Sequence, residues 1–201
     1  MVDVFCIIIF TSAFSLFFSL YFPKVYKIEL QKSIEQCNEN YEVKSYPQVS
    51  VVIFALSGIV YFLSQDLALT GCCLLLGIMA YTDLAARWLP DVTIYLLLCL
   101  SFFTVHSKDV IESVISILFF IFPAIALNVF GFIRKKQQWI ASGDFYVFPS
   151  VGLLVLPEYS AIIMILTLLI AVTLNLKFKS VPLITVLYFI FMGYQICKFC
   201  A

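Results

Sequence analysis

Long apolar runs separated by brief polar punctuation make up most of this chain. A run of about 20 apolar residues is what an α-helix needs to cross the hydrocarbon core of a bilayer, so each run predicts a span. Met1–Phe22 is too long for the apolar region of a signal peptide. It carries Asp3 where a basic start belongs and lacks a small-residue cleavage site, so it reads as a retained first span. Pro23–Pro47 is the one polar stretch of any length, and residues 24–37 within it fit a short surface helix that the Asn38-Glu39-Asn40 turn would end. Spans two to five are predicted at Gln48–Gln65, Leu67–Thr82, Trp88–Val105 and Val110–Ile133. Pro90 suits the first turn of span four, because proline has no N–H to leave unpaired. Asp144–Leu156, Ser160–Leu176 and Val181–Phe199 follow as spans six to eight. Span six is short and contains Pro149; if six and seven formed a re-entrant hairpin, the chain would still return to the same face.

Composition agrees with this pattern. Hydrophobic residues make up 63% of the 201 and charged residues 12%, with a mean hydropathy of +1.07, against the roughly 45–50% apolar and 25% charged of a soluble domain. The expectation is an all-α, polytopic integral membrane protein of about eight transmembrane helices. Residues 1–201 would form a single membrane-embedded domain, with 23–47 as a cytoplasmic loop. The formal net charge is zero, so no global field points to nucleic acid, and the lipid bilayer is the expected partner. A lone His106 cannot make a histidine metal site. Of the cysteines, only Cys197-x-x-Cys200 has ligand-like spacing, and a single such pair is a weak signal, so no metal is expected.

The Lys and Arg distribution sets an orientation. With the N-terminus outside, Lys24, Lys27, Lys32, Lys44, Arg87, Arg134, Lys135, Lys136, Lys177 and Lys179 fall on the cytoplasmic side, against Lys108 and Lys198 outside. The same topology puts Asp83, after span three, and Asp144, at the start of span six, at one membrane depth on the cytoplasmic face. Two carboxylates sharing a site cannot both ionise cheaply, so one holds a proton while the other stays charged. The charged one can take a proton from water attacking a peptide carbonyl, and the protonated one can donate to the carbonyl oxygen. Gly143 beside Asp144 fits a close approach by a substrate strand, since glycine has no Cβ. Arg87 either pairs with an aspartate or marks the cytoplasmic face; Asp91 reads as the companion of a helix start, and Trp88 and Trp139 as interface anchors.

Asp83-Leu-Ala-Ala-Arg87-Trp-Leu-Pro90-Asp91 resembles the first aspartate motif of the type IV prepilin peptidases, a branch of the GxGD membrane aspartyl proteases. Ser142-Gly143-Asp144-Phe145, with Gly152 eight residues after the aspartate, resembles the second, and Lys177-x-Lys179 before Val181-Pro182 weakly resembles the start of the family's last span. The resemblance implies eight spans and an aspartic endopeptidase of the bacterial inner membrane with its site facing the cytoplasm. Asp83 and Asp144 would be the catalysts, with Gly143, Arg87 and Pro90 shaping the site. The implied substrate is a type IV prepilin or pseudopilin, cut after a glycine that ends its short basic leader. Ala141 stands where the family usually has glycine, and Tyr146 where it usually has lysine. Many members carry two CxxC pairs in the loop after span one, and this loop holds only Cys37. The aspartyl mechanism needs no cofactor; S-adenosylmethionine would enter only if the methylation many members perform is retained.

Two readings from other classes compete: a carboxylate-dependent transporter and a catalytically silent scaffold of a pilus or secretion machine. Against transport, both acids lie at one face, whereas a conduction path needs polar groups through the bilayer. A presenilin-like protease is disfavoured because Thr82 separates Tyr81 from Asp83.

Overall fold

The computed structural model describes residues 45–104, 110–136, 138–177 and 181–200, with the isolated positions 9, 12, 13, 17 and 21, which are helical. The remainder of the first span, the surface helix expected at 24–37, and His106 and Lys108 lie outside the described residues. Among the described residues every regular element is helical: α1 (Pro47–Ser64), α2 (Leu67–Ala86), α3 (Asp91–Thr104), α4 (Val110–Lys135), a 3-10 turn (Asp144–Tyr146), α5 (Phe148–Leu154), α6 (Pro157–Lys177) and α7 (Leu183–Cys200). Five of them, α1, α2, α4, α6 and α7, are long and apolar enough to cross a membrane. The other two spans expected in this part of the chain are short. At 1.5 Å per residue, α3 rises about 21 Å, and the 3-10 turn with α5 only about 16 Å, against roughly 30 Å of hydrocarbon.

The shortfall has local causes. Arg87 adopts a left-handed conformation (φ 54°) that ends α2, so residues 87–90 are not helical. The start expected at Trp88 therefore moves to Asp91, and Pro90 is the residue whose carbonyl caps α3, accepting from the N–H of Thr93 (3.0 Å) and Ile94 (3.3 Å). Helix α2 runs four residues past the expected Thr82, which carries Asp83 into its last turn. Its start is fixed by Asp66, whose Oδ1 accepts from the N–H of Ala68 at 2.8 Å and Leu69 at 3.1 Å. At the other short element, Val155 leaves helical geometry (φ −104°, ψ 151°), one residue before Leu156, whose helical conformation Pro157 disfavours.

The helices close into a ring in which α2 packs on α3, α3 on α5, α5 on α4, α4 on α6, α6 on α7 and α7 back on α2, with α1 against both α2 and α7. Within the spans, 56% of α2 is buried but only 22% of α4. Ile53 of α1, Leu76, Met79 and Tyr81 of α2, and Ile184, Leu187 and Phe191 of α7 are fully buried in one hydrophobic core.

The last carbonyls of a helix have no partner within it and, where buried, must be satisfied by other groups. Around the end of α5, Ser116 Oγ lies 2.7 Å from Gly152 O, 2.8 Å from Val155 O and 2.6 Å from Ser160 Oγ. Gln195 Nε2 donates to Leu154 O at 3.2 Å, and the N–H of Leu156 donates to the Tyr194 hydroxyl at 3.2 Å. Ser116→Ala is expected to cost about 1–3 kcal/mol, because it removes the one hydroxyl proton that a buried carbonyl at the end of α5 can accept there; thermal unfolding in detergent reads it, and an unchanged midpoint would refute the assignment.

Candidate active site

The last turn of α2 presents Asp83 to the first turn of α7. Asp83 is only 7% exposed, and its Oδ2 accepts from the main-chain N–H of Ile184 at 3.0 Å and of Thr185 at 3.4 Å. The first N–H groups of a helix have no partner within it and carry the positive end of its dipole, so they suit a carboxylate oxygen. Asp83 thus caps a helix that begins about a hundred residues further along the chain. Arg87 closes the same turn through its N–H to Asp83 O at 3.0 Å, and its charge acts on Asp83 and on Asp144.

Asp144 opens the 3-10 turn that leads into α5. The turn is held by the N–H of Asp144 to Ala141 O at 3.2 Å and of Val147 to Asp144 O at 3.1 Å. Its side chain is half-buried and lies in the fields of Asp83 and Arg87. The loop before it is anchored by Asn128 of α4, whose Oδ1 accepts from the N–H of Trp139 (2.9 Å) and Ile140 (3.4 Å). Trp139 also packs edge-on against Phe130. Phe145 packs edge-on against Phe148, which in turn meets Phe120 of α4.

The structure therefore brings together Asp83, Asp144 and Arg87. Pro90 acts at one remove, as the cap of the helix that follows α2. Gly143 has ordinary helical dihedrals (φ −60°, ψ −35°), and a Cβ built on it meets nothing within 4 Å, so neither the backbone nor internal packing of the described residues demands glycine there. Tyr146, where a lysine would be usual, is exposed. Three parts of the arrangement escaped the sequence reading. The N–H donors of Ile184 and Thr185 are main-chain groups that no side-chain pattern reveals. Thr185 itself lies just past the Val181-Pro182 pair but carries no signal of its own. Asn128 did offer one, as a lone amide inside an apolar run, where such a group needs a partner. Among the described residues no group of three or more His, Cys, Asp or Glu side chains is placed to hold a metal ion.

The model of the type IV leader peptidase family matches residues 69–197, a stretch that holds both aspartates and runs from α2 into α7. The chain belongs to that family. No curated protein and no solved structure matches the chain. Membership makes the protein a leader peptidase-type protease with a prepilin-type substrate, and its several long apolar helices make it a multi-pass membrane protein. The scaffold and transporter readings are not favoured by this membership.

Proposed function

We propose that the protein is an intramembrane aspartic endopeptidase in which Asp83 and Asp144 are the catalytic pair. The observation that carries this reading is their placement: two carboxylates distant in sequence, Asp83 in the last turn of α2 and Asp144 in the turn that leads into α5, interact electrostatically, with the charge of Arg87 acting on both. Such a pair shares a proton. The ionised carboxylate draws a proton from water as it attacks the scissile carbonyl, and the protonated one donates to the carbonyl oxygen. No covalent intermediate and no cofactor takes part.

The substrate is a type IV prepilin or pseudopilin whose apolar helix lies in the bilayer beside the dyad, with its basic leader in the cytoplasm. A helix hides its carbonyls in internal hydrogen bonds, so the segment at the cut must be extended, and a glycine there supplies the break. This reading has one integral domain of about eight membrane segments in a bacterial inner membrane, the first span and the α3 and α5 segments, which are too short to cross as straight helices, completing the count. Methylation of the new pilin N-terminus forms no part of the proposal.

Co-expression with prepilins, read by pilin size and N-terminal sequence, tests it. Cleavage directly after a leader glycine is expected; if several prepilins stay uncut, the scaffold and transporter readings replace this one. The open space at Gly143 yields a separate test. Gly143→Ala should leave stability within about 0.5 kcal/mol of the parent, as surface substitutions do. It should raise KM for a prepilin by roughly tenfold, the effect of about 1.4 kcal/mol of lost binding. Unaltered kinetics would mean that no substrate strand approaches there.

A further inference from the structure

We propose that Thr185 is a positioning residue for the Asp83 carboxylate, an inference that rests on the aspartyl peptidase reading. Thr185 is buried and grips α2 at two points. Its hydroxyl donates to Ala80 O at 2.7 Å, and its main-chain N–H donates to Asp83 Oδ2 at 3.4 Å. Ala80 and Asp83 are three residues apart, so they lie on the same face of α2. The hydroxyl bond sets the register of the first turn of α7 against the last turns of α2. That register aims the N–H groups of Ile184 and Thr185 at one carboxylate oxygen.

Thr185 N–H to Asp83 is the longer of the two donor bonds, at 3.4 Å against 3.0 Å. Hydrogen bonds weaken steeply with misalignment, so the hydroxyl anchor decides whether that donor stays in reach. The rest of α7 is held independently. The Tyr188 hydroxyl donates to Ile53 O and lies 3.0 Å from Ser57 Oγ, and Gln195 reaches Leu154 O. Loss of the Thr185 hydroxyl therefore loosens the first turn of α7 and leaves the helix in place. Arg87 and Asp144, the charged groups that share the site with Asp83, are not altered by the change.

Thr185→Val replaces the hydroxyl with a methyl of similar shape, and Thr185→Ser keeps the donor. Both variants, the parent and Asp83→Asn would be purified and assayed per folded enzyme on a prepilin with a basic leader ending in glycine. Thr185→Val is expected to lower kcat by about 10- to 100-fold with KM unchanged, as a misplaced catalytic group does, and Thr185→Ser to recover most of the parent kcat. A purely structural role would lower folded yield without this kcat loss or its rescue by serine. If the parent cuts, Asp83→Asn does not, and Thr185→Val retains the parent kcat, the positioning role falls while the peptidase reading stands. The positioning role falls equally if serine fails to restore what valine loses. If Asp83→Asn cuts like the parent, the aspartyl reading falls and takes the inference with it.

Discussion

Asparagine in place of either Asp83 or Asp144 is expected to abolish leader cleavage, by about 10³-fold or more, since each carboxyl has a proton to carry that an amide cannot. At Asp83 the substitution is conservative in structure. The amide oxygen of asparagine still accepts from the N–H groups of Ile184 and Thr185, so α7 keeps its cap and the loss falls on chemistry. Asp144 sits half-buried in a turn held by main-chain bonds, so its amide variant should also fold. The double variant should be no worse than either single one, because residues acting as a unit are non-additive. The readout is the N-terminal sequence of a co-expressed pilin at matched enzyme levels. A folded Asp83→Asn or Asp144→Asn that still cuts within tenfold of the parent would sink the dyad.

Gly152→Val should cause the largest loss of stability. A Cβ at this position would stand 3.1 Å from Ile117 Cα and 3.2 Å from Phe120 Cβ. These are main-chain and near-main-chain atoms of α4 that cannot swing aside, and small residues are what let membrane helices approach so closely. Overpacking of this kind costs about 1–3 kcal/mol or more. The damage should reach the site as well, because α5 follows directly from the turn that carries Asp144. Pushing α5 off α4 moves that carboxylate, and a shift of about 1 Å can cost roughly 100-fold in rate. Gly152→Ala should be milder than valine on both counts. Thermal unfolding and cleavage per folded enzyme measure the two effects, and a valine variant with the parent's midpoint would show that α4 and α5 are not in such close contact.

The apolar runs and their polar breaks were enough to determine solvent, fold class and the order of the helices, because a bilayer leaves so few ways to satisfy a main chain. The paired aspartates stood out for the same reason: carboxylates at the ends of apolar runs are conspicuous where charge is scarce, and two in matching settings are legible as a pair. Helix lengths were less so. The left-handed turn at Arg87, the cap at Pro90 and the extended Val155 shortened two segments that composition alone read as full spans. Only the tertiary structure decided that Asp83 is held by the first turn of α7, that the charge of Arg87 acts on both acids, and that Ser116, Gln195 and Tyr194 close off α5. Most of those arrangements depend on main-chain N–H groups and carbonyls, which nearly every residue carries and no sequence pattern distinguishes. They acquire a role only when packing brings distant turns within hydrogen-bonding distance.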